Sequence, residues 1–208
     1  MKSSVPLGEV CELSVLCVAD PKFRQRYPRY ERTLGNVIEI VNLELARAGV
    51  ELHPTIEASD TVFSPSKSTT PEELEQRAKC GGGEYHKVIG YTSQFLPTWG
   101  GMNYGHPSIV VNPEVALPFD GVACAFVTLH ELGHSFGGGD FGFHDSFGTR
   151  FNIMDNIWGA VWPHFNTAQR QTIYGWAWAQ RVLDFAPYTT TPYVPTGKLA
   201  PEVLLAMR

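Results

Sequence analysis

The sequence predicts an α/β fold, and three observations carry that expectation. An apolar run of strand length at 13–19 is followed by a long amphipathic stretch at about 30–48 and a second strand-like run at 50–57. That order normally means a parallel strand pair joined by a crossover helix. Three more strand-length runs follow at 87–93, 99–104 and 108–112. Finally, an apolar helix-like segment from Asp120 to Gly137 contains His130-Glu131-Leu132-Gly133-His134. No internal repeat is visible, so one domain is expected over 1–188, with a C-terminal tail over 189–208.

The Asp20-Pro21 step ends the first strand. In the helix that follows, Leu34, Val37, Ile38, Val41, Leu45 and Ala48 recur at three- and four-residue spacing. Glu31, Arg32, Glu39, Glu44 and Arg47 are assigned to the opposite, solvent-facing side. Gly49 is positioned to stop the helix. The 64–71 stretch is a polar loop, and Thr70-Pro71-Glu72-Glu73 has the cap, proline and acidic residues of a helix start. That short helix is expected to stop at Gly81-Gly82-Gly83. Gly105-His106-Pro107 separates the last two strands. Val122, Ala123, Phe126, Val127 and Leu129 make the next helix mostly buried, with Asp120 to cap it and Gly137 to end it. A last helix is expected from Thr167 to about Phe185, followed by a Thr/Pro-rich stretch from Thr189 to Gly197.

Composition narrows the function classes. A formal net charge of −5 gives no electrostatic reason to expect nucleic acid or an anionic membrane as a partner. Neither a transmembrane-length apolar run nor a secretory signal is read, so the compartment stays open; an excised domain of a secreted protein would look the same. The four cysteines include no Cys-x-x-Cys pair, which excludes a zinc ribbon, and Cys124 is expected as a buried free thiol.

The chemistry is concentrated in one stretch. On a helix, His130 and His134 share a face one turn apart, so both imidazoles can reach one metal ion. Catalytic zinc takes three protein ligands and keeps a fourth position for water. Gly137 allows the chain to turn back beneath the helix, and Asp140 follows three residues later with a carboxylate that can be the third ligand. His144 and Asp145 on the same loop are the alternatives. Glu131 points beside the histidine pair, where it can take a proton from a zinc-bound water attacking a peptide carbonyl and pass it to the leaving amine. In the bland reading, the histidines merely pack or cap. The Gly137 turn, the carboxylate at position 140 and the apolar helix argue against it, and the intact Glu131 argues against a zinc-binding but inactive relative. His53, His86, His106 and His164 stand alone and are read as structural.

His130 to Asp140 resembles the metzincin signature His-Glu-x-x-His-x-x-Gly-x-x-His, with Asp140 in place of the last histidine, as in snapalysin-type bacterial proteases. Asn152-Ile153-Met154-Asp155 is similar to the metzincin Met-turn, and the opening strand and helix are similar to those of adamalysin-like domains. The resemblance implies a twisted mixed sheet and two long helices above a cleft, forming an upper subdomain over about 1–137. A small irregular lower subdomain over 138–188 would end in a C-terminal helix. It also implies an extended substrate along an edge strand, with Gly101 to Tyr104 as candidates, and a pocket wall after Met154 that includes Trp158 and Trp162. The chain departs from some metzincins at Asn156, where those carry a tyrosine.

The expectation is therefore a metalloendopeptidase with one catalytic Zn2+, ligands His130, His134 and Asp140, and catalytic Glu131. It would act as a monomer on extended peptide or protein substrates. The alternative is a zinc-containing domain that binds a peptide or protein without turnover.

Overall fold

Cys11–Ala19 forms strand β1, an inner strand of the five-stranded sheet. The computed structural model describes residues 9–63, 72–79, 83–94, 101–103, 108–112, 120–137, 153, 164–165 and 167–183. Within these, β1 is followed by the short helix α1 (Pro21–Arg26), the long helix α2 (Tyr30–Leu45), a 3₁₀ turn at Ala46–Ala48 and strand β2 (Val50–Ala58). Then come α3 (Glu72–Arg77), β3 (Lys87–Tyr91), β4 (Gly101–Asn103), β5 (Ser108–Val111), α4 (Asp120–Gly137) and α5 (Thr167–Leu183).

The sheet order is β2-β1-β3-β5-β4. β1 and β2 run parallel from Cys11↔Val50 to Ala19↔Ala58, as the strand–helix–strand pattern requires. β3 and β5 continue the parallel set, and β4 runs antiparallel to β5 with Gly101 opposite Val111. The fold is thus mixed α/β. Pro54, which has no N–H to give a ladder, is accommodated because β2 lies at an edge.

Both faces of β1 are buried, and its side chains divide between two cores as strand pleating demands. Leu13, Val15 and Cys17 pack with α2, α4 and α5, in a cluster that includes Leu34, Val37, Ile38, Leu45, Leu129, Leu132 and Phe136. Leu16 and Val18 face the other way, onto Phe63, Leu74, Ala78, Val88 and Val110. Each such side chain contributes about 1.5–3 kcal/mol by leaving water, so no single one holds α2 or α4 in place.

Three local features differ from expectation or sharpen it. α1 was not foreseen beyond the Asp20-Pro21 break. Asp20 caps it through a 2.7 Å bond from the Phe23 N–H to Oδ1, and proline occupies its first turn. α2 tightens into the 3₁₀ turn before Gly49, whose left-handed φ of 70° ends it as expected. Glu44 is a correction: it lies on the buried side of α2, not the solvent side. Its carboxylate takes partners from the segment just before α5, namely the Phe165 N–H at 3.0 Å and His164 Nδ1 at 2.8 Å.

β1 and β2 are slightly longer than the sequence runs, β3 is shorter at Lys87–Tyr91, and α5 is described to Leu183. Cys124 is a buried free thiol, as are Cys11 and Cys17. Burial pushes the Cys17 thiol up to about 12 and Cys11 to about 11. No helix among the described residues is long and apolar enough to cross a membrane. The expected 64–71 loop, most of the expected lower subdomain over 138–188, and the expected 189–208 tail lie outside the described residues.

Candidate metal centre

α4 is held over the sheet by a continuous apolar face: Cys124, Ala125, Val127, Leu129, Leu132 and Phe136 are all buried. Thr128 anchors it further, with its hydroxyl 2.7 Å from the Cys124 carbonyl and 3.3 Å from the Tyr91 hydroxyl on β3. This leaves the opposite rim of α4 to carry His130, Glu131 and His134. Glu131 and His134 are only 6% and 8% exposed, so both are substantially withdrawn from water.

The two imidazoles converge. Their Nε2 atoms are 3.1 Å apart, with ring centroids 4.8 Å apart and planes at 84°. His130 Nδ1 lies 2.9 Å from the Ile153 carbonyl oxygen, which can only accept. That bond assigns the proton to Nδ1 and makes His130 Nε2 a lone-pair donor directed at His134. Two nitrogens bound to one zinc at 2.0–2.1 Å in a tetrahedral arrangement stand about 3.3 Å apart. The observed pair is close to that separation, so these residues fit a divalent zinc ion.

Glu131 is set between α4 and the sheet edge. A Cβ built on Gly101, the first residue of β4, would come within 2.4 Å of Glu131 Oε1 and 2.5 Å of its Cγ. Real Cβ atoms do not approach that closely, so the absence of a side chain at 101 is what lets the carboxylate lie against the strand. The expected base and the first residue of the expected substrate strand are therefore in direct contact.

A cationic side chain is buried nearby. Lys87 on β3 is fully buried; its Nζ donates to the Ser135 hydroxyl and, at 3.3 Å, to the Ser135 carbonyl. It also lies 4.3 Å from the centre of the Phe136 ring. Ser135 is in the last turn of α4, where a cation favourably meets the carbonyl end of the helix dipole. Lys87 thus braces the end of the helix one residue beyond His134.

Of the expected site residues, the structure brings His130, Glu131 and His134 together at the sheet edge. Asp140, His144 and Asp145 lie outside the described residues, as do Tyr104, Met154, Asn156, Trp158 and Trp162. Among the described residues, no group of three or more His, Cys, Asp or Glu side chains forms a metal cage. No sequence signature marks the Ile153 carbonyl, because it is a backbone acceptor. Lys87 does carry a signal, a charge at the head of an otherwise apolar strand.

No protein-family model matches the chain, and no curated protein matches it. Solved structures do. A structure of a chaperone-substrate complex aligns over 83% of this chain with 11% identity and a TM-score of 0.51. This chain spans 35% of that one's length, and at this identity the likeness concerns the fold alone. Archaemetzincin from Methanopyrus kandleri aligns over 86% of this chain and 97% of its own, with 20% identity and a TM-score of 0.44.

Proposed function

We propose that this chain is a zinc-dependent endopeptidase of the metzincin type. The observation that carries the reading is the facing Nε2 pair of His130 and His134, with Glu131 beside it against the edge strand β4. His130 and His134 would hold the metal together with Asp140; His144 and Asp145 are the alternatives for the third position. Bound zinc supplies a Lewis acid for the scissile carbonyl and lowers the pKa of a water from about 15.7 towards 7.

Glu131 accepts the proton of the attacking water and returns it to the leaving amine. Its near-complete burial favours proton exchange with the reacting groups over exchange with bulk solvent. The substrate is an extended peptide or protein segment. β4 lies at the edge of the sheet, and an edge strand holds a peptide main chain through backbone groups irrespective of side chain. The formal charge of −5 supports neither a nucleic-acid nor a membrane partner, and the chain is proposed to act as a monomer.

Turnover of a denatured protein by the zinc-loaded chain tests the reading. Glu131→Ala should abolish it while about one zinc per chain is retained. Zinc binding with no turnover in the unaltered chain would instead indicate a zinc-containing domain that binds a peptide or protein without cutting it.

A further inference from the structure

A chain of hydrogen bonds leads from His130 to a buried carboxylate on a different helix. His130 Nδ1 lies 2.9 Å from the Ile153 carbonyl. The Ile153 N–H donates to the His164 carbonyl at 3.3 Å. The next residue, Phe165, donates its N–H to Glu44 Oε1 at 3.0 Å, and His164 Nδ1 lies 2.8 Å from Glu44 Oε2. Glu44 is the second-last residue of α2, with its side chain 2% exposed, and Arg47 Nε lies 3.5 Å from Oε2. The Ile153 and Phe165 side chains are fully buried in the same core as Leu45 and Leu129.

We infer that Glu44 is a positioning residue for the metal site: through His164, Phe165 and Ile153 it fixes the imidazole of His130. The physical reason lies in how differently the parts are anchored. α2 is bound to the sheet by a full apolar face, whereas His130 Nδ1 is positioned by the backbone carbonyl of Ile153. That carbonyl is only as well placed as its own backbone, and the backbone is tied through His164 to Glu44. A carboxylate taken out of water must keep its donors, because leaving it without them costs more than the bonds themselves contribute. Burial therefore commits Glu44 to holding this segment in one place. Fixing the far nitrogen of a ligating histidine selects its tautomer and ring orientation, and losing such a partner weakens metal binding by about 10–100-fold. Glu44 acts two links further out, so the lower end of that range applies.

The inference rests on the zinc reading above, and the test separates the two. Zinc affinity of the full chain is measured by competition with a chromogenic chelator, and the tautomer of His130 by ¹H–¹⁵N spectra of the metal-free protein. Glu44→Leu should weaken zinc binding about tenfold and turn a single Nδ1–H tautomer of His130 into a mixture. Glu44→Gln, which still offers an oxygen to the Phe165 N–H, should stay within about threefold of wild type. His164→Phe, at a half-exposed position, should weaken binding severalfold and serves if Glu44→Leu does not fold. Leu74→Ala, on the other face of the sheet, lowers stability without touching this chain of bonds and should leave zinc affinity unchanged. If a folded Glu44→Leu or His164→Phe protein keeps the wild-type affinity and tautomer, the inference is wrong and the zinc reading stands. If the unaltered chain binds no zinc, both fall.

Discussion

Two buried polar centres in this molecule behave in opposite ways. Asp20, at the junction of β1 and α1, is fully buried and closed. Its two oxygens take the Phe23 N–H at 2.7 Å, the Phe63 N–H at 3.1 Å and the Thr92 hydroxyl at 2.6 Å. Every donor comes from a different part of the fold, so the carboxylate joins β1, α1 and the segments beyond β2 and β3. At the rim of α4, by contrast, His130 and His134 point two ring nitrogens at each other across 3.1 Å, and a neighbouring carboxylate lies against a glycine. The first arrangement is complete in itself. The second is held from outside, by Ile153 and the body of α4, and leaves its reactive atoms facing a shared point. The first centre closes on its own chain, whereas the second turns two ring nitrogens towards one point, as the proposed metal site requires.

Substitutions in the two centres should therefore fail differently. Glu131→Ala is expected to reduce kcat/KM by about 10²–10⁴-fold, the usual contribution of a general base, with melting temperature and zinc content preserved. Steady-state kinetics on a peptide substrate beside metal analysis checks it; a parallel loss of zinc would mean that Glu131 serves the metal rather than the proton. Asp20→Ala should do the reverse. It strands buried donors and is expected to cost about 3 kcal/mol of stability in urea unfolding, leaving the zinc affinity of the folded fraction unchanged.

Gly101→Ala falls between these. Its new Cβ would displace the Glu131 carboxylate, and a misplacement of about 1 Å can cost up to about 10²-fold in rate. We expect kcat to fall by about tenfold or more at unchanged zinc content. Unchanged kcat would show that β4, rather than Glu131, gives way.

The smallest effect belongs to the thiols of the closed core. Burial raises Cys17 from 9.0 to about 12, so the folded state keeps a proton there that the unfolded chain has lost. Its contribution is complete below pH 9 and is lost as pH rises towards 12, with Cys11, raised to about 11, acting in the same direction. Urea unfolding at pH 8, 9 and 10 should show a declining stability that Cys17→Ala makes shallower.

The same contrast explains what was legible in the sequence. The βαβ half could be read because its signals are periodic: α2 repeats Leu34, Val37, Ile38 and Val41, and Gly49 ends it where a left-handed residue is required. The positions of His130, Glu131 and His134 on one helix rim follow from helical spacing alone. Glu44 lies three residues after Val41 and four before Ala48, at the margin of the apolar stripe, and its charge alone assigns it to solvent. The partners that allow its burial, His164 and Phe165, are remote in sequence. α1 does carry a signal in the sequence, an aspartate cap followed by proline, beside the strand break that the same Asp20-Pro21 step marks. The contact between Gly101 and Glu131 could not be read from the sequence, since it depends on where β4 docks in the sheet.

The most direct test of the account is anomalous diffraction at the zinc edge from crystals of the metal-loaded chain. It should show one peak within about 2.0–2.1 Å of Nε2 of both His130 and His134. A carboxylate oxygen of Asp140 should complete the protein ligands, and His130 Nδ1 should still be bonded to the Ile153 carbonyl. A zinc ion bound elsewhere, or bound by only one of the two histidines, would contradict it.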